Sequence, residues 1–186
     1  MKAINIATAL VLLFSVFSCK NEEKIQEVTP ETTVQKPAVN PNVFSITLKA
    51  IVKKDDSFQV YFKDNEQDQF EESKSLYVSF KGSDQIQDII FNLPEDAFPK
   101  YFRLDYGINK EQSEIVIKEF KLQYLDKSLG TKDETFFNYF IPNEQTMKVD
   151  KKTLTLTPFV TKDGNYDPMS YTGEGLYKHI QEILLK

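Results

Sequence analysis

Hydrophobic and polar residues alternate with a period of two along most of the chain from Phe44 onward. Because successive side chains of a β-strand point to opposite faces of a sheet, this pattern predicts strands with one apolar and one polar face. The apolar positions are, in chain order, Phe44, Ile46 and Leu48; Phe58, Val60 and Phe62; Leu76, Val78 and Phe80; Ile89, Phe91 and Leu93; Phe102, Leu104 and Tyr106; Ile115, Ile117, Phe120 and Leu122; and Leu154 and Leu156. Turn-rich segments separate the strands and no strand–helix–strand rhythm is visible, so the pattern predicts an all-β fold, an antiparallel β-sandwich.

Two details of this pattern carry further expectations. The alternation slips between Ile117 and Phe120, which indicates either one long strand with a bulge or two shorter strands. Residues 53–57 and 81–84 are rich in the residue types that favour turns, and we interpret both as hairpin connections.

Two helical segments interrupt the strands. Phe136, Phe137 and Phe140 share one face at helical spacing, and Pro142 ends this first segment. The second segment, residues 174–186, has Thr172 as its expected N-cap. Its apolar stripe consists of Leu176, Ile180, Ile183 and Leu184. We expect this short C-terminal helix to cover part of the sandwich rather than to bind a partner.

The first 18 residues have the character of a secretory signal peptide, with Lys2 before a short apolar run. That run is shorter than the ~20 apolar residues that a membrane helix needs. Cys19 follows directly and is the only cysteine of the chain. Residues 16–19, Val-Phe-Ser-Cys, resemble the lipobox of bacterial lipoproteins, although Phe17 stands where a small residue is usual. The resemblance implies removal of residues 1–18 and attachment of fatty acyl chains, palmitate among them, to Cys19. An ordinary cleaved signal and an uncleaved anchor are the alternatives.

The residues after Cys19 predict a linker before the domain. Residues 20–23, Lys-Asn-Glu-Glu, resemble the acidic signal of surface-exposed lipoproteins of Bacteroidota. This implies an outer-membrane protein that faces the outside, with the periplasmic face as the alternative. Residues 19–42 contain three prolines and few large apolar groups, so we expect a disordered tether. Residues 43–186 would then form a single sandwich domain.

Composition excludes several classes of function. The formal net charge is −5 without a basic cluster, which argues against a nucleic-acid partner and against docking on anionic lipid head groups. A single cysteine leaves no intramolecular disulfide and no cysteine-bound zinc. The carboxylates of Glu66 and Asp68 are explained by a solvated acidic loop. We therefore expect no enzyme and no cofactor, with an acid–base hydrolase as the remaining enzymatic alternative.

One acidic segment has the spacing of a metal loop. Asp163, Asn165 and Asp167 stand at alternating positions, as the first oxygen ligands of an EF-hand calcium loop do, and Glu174 takes the twelfth position. That loop needs a glycine at its sixth position, where this chain has Pro168 with φ fixed near −65°. We therefore expect an Asp/Asn/Gly-rich turn, with Ca²⁺ held in another geometry as the alternative.

Residues 86–124 resemble part of a known family. Residues 99–107, Pro-Lys-Tyr-Phe-Arg-Leu-Asp-Tyr-Gly, precede residues 115–122, Ile-Val-Ile-Lys-Glu-Phe-Lys-Leu. This succession of an aromatic-Arg-x-Asp strand and an Ile-x-Ile-x-x-Phe-x-Leu strand is similar to that of galactose-binding-like jelly-roll domains attached to proteins of bacterial polysaccharide handling. The resemblance implies a jelly-roll sandwich and an association with carbohydrate.

The polar faces of the predicted strands supply the candidate ligand contacts. Tyr61, Tyr77 and Tyr101 alternate outward on three strands and would form a stacking platform for sugar rings if those strands adjoin. Ordinary cross-strand pairing of tyrosines is the alternative. Arg103 and Asp105 share one polar strand face and would either form a structural ion pair or contact a sugar. We expect a non-catalytic envelope lipoprotein that binds glycan, or a structural lipoprotein that contacts another envelope protein.

Overall fold

The structure is a computed structural model that describes residues 38–185. Between these residues the chain forms eleven strands and two short α-helices. The strands are β1 (Ser45–Val52), β2 (Asp56–Lys63), β3 (Ser75–Phe80), β4 (Ser83–Asn92), β5 (Tyr101–Asp105), β6 (Ile115–Tyr124), β7 (Lys127–Thr131), β8 (Phe140–Pro142), β9 (Met147–Asp150), β10 (Thr155–Pro158) and β11 (Met169–Thr172). The helices are α1 (Phe136–Tyr139) and α2 (Glu174–His179); a π-helical turn, Ile180–Leu184, continues α2, and a 3₁₀ turn, Glu72–Lys74, precedes β3.

The strands form two antiparallel sheets that pack face to face. One sheet has the order β4-β1-β6-β10-β9, and β7 pairs with the part of β6 that β10 does not reach. The other sheet has the order β3-β2-β5-β11-β8. The predicted all-β antiparallel sandwich with a short C-terminal helix is confirmed.

The core includes the apolar positions that the alternation predicts, and residues from β7, α1, β8, β9 and the C-terminal helix complete it. All of these side chains are buried except Leu76, Val78 and Phe80, which are partly exposed because β3 is the edge of its sheet. Tyr106 is fully buried, and its hydroxyl donates a hydrogen bond to Ser170 Oγ at 3.0 Å. Its polar atom is therefore satisfied within the core.

Strand β6 is one long strand with a bulge. Lys49 of β1 lies opposite Glu119, and the next residue, Ala50, lies opposite Ile117, so that Lys118 is the extra residue. Because of this extra residue, Ile117 before the bulge and Phe120 after it both face the core. This explains the slip in the alternation, and of the two interpretations the bulged strand is correct.

The two expected hairpin connections are not hairpins. Strands β1 and β4 belong to one sheet, whereas β2 and β3 belong to the other, so residues 53–55 and 81–82 each cross between the sheets. The Asp55 carboxylate joins the two crossings, because it accepts a hydrogen bond from the amide of Gly82 at 2.9 Å and pairs with Lys81 at 2.6 Å. Turn-forming residues predict a change of direction, but whether the next strand pairs or crosses depends on burying both apolar faces.

Both helices differ from their predicted form. The first ends at Tyr139, because Phe140 has extended backbone and pairs with Thr172 of β11. The second has Gly173 rather than Thr172 at its N-cap. The Thr172 hydroxyl instead accepts a hydrogen bond from the amide of Phe102 and donates one to its carbonyl. The Thr172 hydroxyl is therefore used to join β11 to β5 and does not cap the helix.

The apolar stripe of the C-terminal helix also differs at one position. Leu176, Ile180 and Leu184 are buried, but Ile183 is exposed. The amide of Leu185 donates to the carbonyl of Ile180, which is the wider π-helical pattern. This turn keeps Leu184 against the sandwich and rotates Ile183 away from it.

Residues 38–42, at the end of the predicted tether, already contact the sandwich. The side-chain amide of Asn92 donates to the carbonyl of Ala38 at 2.9 Å. The amide of Leu125, in the turn between β6 and β7, donates to the carbonyl of Pro41 at 2.8 Å. The chain therefore enters the described domain beside the ends of β4 and β6.

Candidate ligand-binding face

The predicted ligand contacts lie together on the outer surface of the five-stranded sheet. Strands β3, β2 and β5 are neighbours, so the strands that carry Tyr77, Tyr61 and Tyr101 adjoin. Tyr61 lies directly opposite Arg103, and Asp105 follows on the same face of β5. The geometric condition for a tyrosine platform is therefore met, while its use in sugar stacking stays a prediction. We call the outer surface of β3, β2, β5 and β11 the candidate face.

Arg103 and Asp105 form an ion pair with each other. Arg103 Nε donates to Asp105 Oδ1 at 2.7 Å, and Arg103 Nη2 donates to Asp105 Oδ2 at 2.5 Å. The guanidinium carbon lies 4.5 Å from the centre of the Tyr61 ring, within the range of a cation–π contact. Both side chains of the pair are largely shielded from water. The bidentate contact and the ring together fix the orientation of the pair.

Carboxylates outnumber cations around this pair. The hydrogen bond from Arg103 to Asp105 raises the pKa of the guanidinium, while burial raises the pKa of the Asp105 carboxyl against the effect of Arg103. The charges of Asp167, 4.0 Å from Arg103, and of Glu72 add to this rise for Asp105. The candidate face is therefore rich in hydrogen-bond acceptors, which suits a neutral ligand with many hydroxyl groups better than an anion.

Glu72 connects the tyrosines of β2 and β3. Its carboxylate accepts hydrogen bonds from the Tyr61 hydroxyl at 2.8 Å and from Gln59 Nε2 at 3.1 Å. The hydroxyls of Tyr61 and Tyr77 hold the pKa of Glu72 below its usual value. Burial, followed by the contact with Glu72, raises the pKa of Tyr61 to about 12. The sequence reasoning missed Glu72, because it lies in an acidic stretch that looks uniformly solvated.

The loop between β2 and β3 covers one end of the candidate face. Lys63 Nζ donates to the carbonyls of Glu66 and Asp68, both at 2.6 Å, and lies 4.8 Å from the centre of the Phe70 ring. Lys63 is therefore buried, although the alternation predicts only that it points away from the core. The side chains of Glu66 and Asp68 are exposed, as expected for this acidic loop. Phe70 approaches the Tyr61 ring edge-on at 6.4 Å, so the loop also borders the ion pair.

The most accessible aromatic rings of the candidate face belong to Tyr77 and Tyr171. Their exposed fractions are 56% and 40%. Tyr171 lies on β11 directly opposite Arg103, and Tyr77 lies on the other side of β2. Tyr101, in contrast, stacks on Tyr177 of α2 at 5.0 Å, which occupies one side of its ring. Tyr171 was missed because four-residue strands between loops have too little alternation to be recognised.

The predicted metal residues occupy a tight turn. Asp163 Oδ1 accepts a hydrogen bond from the Thr161 hydroxyl at 2.5 Å, and the Thr161 amide donates to the carbonyl of Asn165 at 2.8 Å. Asp167 lies instead beside Arg103. Within residues 38–185, no three histidine, cysteine, aspartate or glutamate side chains are grouped so that they could hold a metal ion. Asp167 is therefore the residue of this segment that borders the candidate face.

The predicted signal peptide, Cys19 and residues 19–37 of the predicted tether lie outside the described residues. In the part of the chain that the structure describes, no helix has the length and apolar character needed to cross a membrane.

Comparison with known proteins assigns no family. The chain matches no protein-family model, no curated protein and no solved structure. The resemblances to galactose-binding-like jelly-roll domains and to Bacteroidota lipoproteins therefore stay predictions from the sequence.

Proposed function

We propose that this protein is a non-catalytic lipoprotein of the bacterial envelope that binds glycans on the candidate face. The anchor is the lipid on Cys19, placed by the order of basic, apolar and small residues before it. The proposed location is the outer membrane with the domain facing outside, and the periplasmic orientation is the alternative. A nucleic-acid partner is not part of the proposal.

One observation carries the glycan proposal. The Arg103–Asp105 pair is held in a fixed orientation and lies between two exposed aromatic rings, Tyr77 and Tyr171. Sugar rings have apolar faces that pack on aromatic rings and hydroxyl edges that need fixed hydrogen-bonding groups. A few oriented polar groups among aromatic side chains are the usual composition of a small-molecule site. The excess of carboxylates favours neutral sugars over acidic ones.

A protein partner is the alternative, and the open side of the sandwich favours it. Strands β3 and β4 are the edges of their sheets and lie next to each other. A cleft of about 370 Å³ between them is lined by Tyr77, Val78, Ile90 and Phe91, among others. Edge strands present unpaired backbone groups to which an extended segment of another chain can add.

A glycan screen with the non-lipidated protein tests the first proposal. The chain from residue 20 onward is applied to neutral and acidic bacterial polysaccharides and oligosaccharides, and retained glycans are measured in solution by calorimetry. We expect binding of neutral glycans. Tyr77→Ala and Tyr171→Ala should each weaken it by about tenfold, because each removes one stacking ring.

The matched control is Ile108→Ala, which trims a side chain that is 76% exposed and lies outside the candidate face. It should leave glycan affinity unchanged. If the folded protein binds no glycan, and crosslinking in cells recovers an envelope protein through β3 or β4, the alternative replaces the proposal. If Tyr77→Ala and Tyr171→Ala bind like the unaltered protein, the site is not on the candidate face.

The anchor has its own test. Cys19→Ser should abolish metabolic labelling with a palmitate analogue and release the protein from the membrane fraction. Protease treatment of intact cells separates the two orientations, because only an outward-facing domain is digested. Unchanged membrane retention of the Cys19→Ser variant would contradict the lipid anchor.

A further inference from the structure

An exposed apolar cluster lies at the end of the sandwich where the chain enters the described domain. We name Phe98, Tyr124 and Leu125 the tether-end patch. Phe98 and Leu125 are 48% and 51% exposed. The Phe98 ring packs edge-on against Tyr124 at 5.9 Å, and Tyr124 stacks on the buried Phe44 at 4.4 Å. The base of the patch is therefore fixed in the core, while Phe98 and Leu125 project into solvent.

The polypeptide that leads toward Cys19 passes this patch. The Leu125 amide binds the carbonyl of Pro41, so the incoming chain is hydrogen-bonded to the turn that carries the exposed leucine. Phe44 is fully buried shortly after this segment and supports Tyr124. The patch and the incoming chain thus share one end of the sandwich.

Leu125 has a backbone conformation that is unfavourable for leucine. It is the first residue of the two-residue turn between β6 and β7, with φ +53°. Glycine, asparagine or aspartate normally takes such a position, because a Cβ is crowded there. Leu154 has a similar φ of +54°, but its side chain is buried, and its apolar contacts offset the strain. Leu125 has no comparable burial within the described domain, which is the pattern expected where strain serves a function.

We propose that the tether-end patch rests on the membrane that holds the lipidated Cys19, with Phe98 and Leu125 in the head-group region of the bilayer. The inference rests on the lipid anchor proposed above. The charges beside the patch, on Glu95, Asp96, Lys100, Asp126 and Lys127, are mixed in sign, so the contact is apolar rather than electrostatic.

A lipid surface fits this end better than the opposite one. The described chain begins beside this patch, so the patch is the part of the domain that lies nearest along the chain to Cys19. The far end lies one strand length away, because the eight residues of β1 span about 26 Å. Exposed apolar side chains at a membrane surface sit about 5–10 Å into the boundary between head groups and acyl chains.

The absence of tryptophan from the chain allows a single-reporter experiment. Leu125→Trp places the reporter in the patch. Ile108→Trp places it at the far end, where the Ile108 amide binds the Asp56 carboxylate at the start of β2. Each variant is prepared in its lipidated form, which begins at Cys19, and is reconstituted in phosphatidylcholine vesicles with and without brominated acyl chains. Phe98→Trp replaces Leu125→Trp if the latter does not fold.

The expected result is a blue-shifted emission of the Leu125→Trp variant that brominated lipid quenches, and an unshifted, unquenched emission of Ile108→Trp. Leu125→Gly should raise the midpoint of thermal unfolding by about 2–4 °C, because it relieves the backbone strain. In a Phe98→Trp background the same glycine substitution should remove most of the quenching. Leu125→Gly would then raise the thermal stability and reduce the membrane contact.

The outcomes separate the inference from its premise. Lipid labelling of Cys19 together with a patch reporter that brominated lipid does not quench overturns the membrane contact and leaves the anchor intact. Equal quenching of both reporters also overturns it, because the domain then has no preferred orientation. Absence of lipid on Cys19 overturns the anchor and the inference with it.

Discussion

Replacing Gly107 by alanine should remove about 4 kcal/mol from the free energy of unfolding. Gly107 has φ +102°, and an added Cβ would overlap both carboxylate oxygens of Asp56. That carboxylate accepts four hydrogen bonds, from the backbone amides of Ser57 (2.9 Å), Ile108 (2.9 Å) and Asn109 (3.2 Å) and from the side-chain amide of Gln112 (3.0 Å). The glycine therefore lies against the group that holds the far-end loops together.

The magnitude has two parts. A residue with a Cβ in the left-handed region costs about 2 kcal/mol. In addition, the Asp56 carboxylate must withdraw, which loosens hydrogen bonds to a charged acceptor that are worth about 1.5–3 kcal/mol each when fully protected. Water replaces part of this loss because the loop is at the surface, so we take about 2 kcal/mol for the second part. A domain with a total stability of about 5–15 kcal/mol would still fold.

Gly164→Ala is the matched control, because Gly164 also has a positive φ, +85°, but an added Cβ there meets nothing within 4 Å. Gly164→Ala should lower the free energy of unfolding by the backbone strain alone, about 2 kcal/mol. Urea unfolding followed by circular dichroism measures both on the non-lipidated protein. In an Asp56→Ala background, Gly107→Ala should cost no more than Gly164→Ala. Equal losses for the two glycine variants in the unaltered background would refute the role given to the Asp56 carboxylate.

Three further predictions concern charged and ionisable groups. The hydrogen bond from Lys49 holds the pKa of Glu119 below its value of 4.5 in the unfolded chain, so its contribution to stability is present above that pH and is lost as the pH falls through the lower, folded value. Urea midpoints should therefore fall less for Glu119→Gln than for the unaltered protein on acidification, and equal slopes would contradict this. Burial raises the pKa of Tyr61 from 10.0 to about 12. The contribution of this phenol to the free energy of unfolding is therefore present below pH 10.0 and is lost as the pH rises through about 12. Over that interval Tyr61→Phe should lose less stability than the unaltered protein. Arg103→Met should lower the free energy of unfolding by about 3 kcal/mol, because it leaves the Asp105 carboxylate shielded from water without its cation. The double variant with Asp105→Leu should recover part of that loss. No recovery would show that the two charges act separately.

Seven of the eleven strands could be predicted because their information is local, whereas β7, β8, β9 and β11, each of five residues or fewer, were missed. A period of two along five residues already assigns each side chain to a face, and burial of one face follows from the hydrophobic effect alone. Even the irregularity in β6 was visible, since an extra residue between Ile117 and Phe120 changes the phase of the pattern itself.

The connections could not be predicted, because they depend on which sheet accepts the next strand. The segments after Val52 and after Phe80 have the composition of hairpin turns, yet each crosses the sandwich. Amphipathic strands can bury their apolar faces by pairing side by side over a common core or by stacking face to face. The turn residues are compatible with both solutions.

Only part of the candidate face could be predicted, and the reason is related. Outward positions on β2, β3 and β5 follow from alternation, but their neighbours across the sheet follow from strand order, which the sequence does not show. Glu72, Phe70 and Tyr171 come close to Tyr61 or Arg103 only through a loop that folds back and through a strand far along the chain. The sequence therefore identified the pair at the centre of the face and missed much of its border.

Strand β5 relates the candidate face to the tether-end patch. Along the chain, Phe98 of the patch is followed by Arg103 of the face and then by Ile108 at the far end. The five residues from Phe98 to Arg103 span at most about 17 Å, so the proposed contact of the patch with a bilayer would place the face beside that bilayer. A glycan carried on lipids of the same membrane would then reach the face from the side. We therefore expect Leu125→Gly to weaken binding to vesicle-borne glycan while leaving the affinity for the same glycan in solution unchanged. Equal weakening of both would show that the patch acts on the face through the fold rather than through its orientation at the membrane.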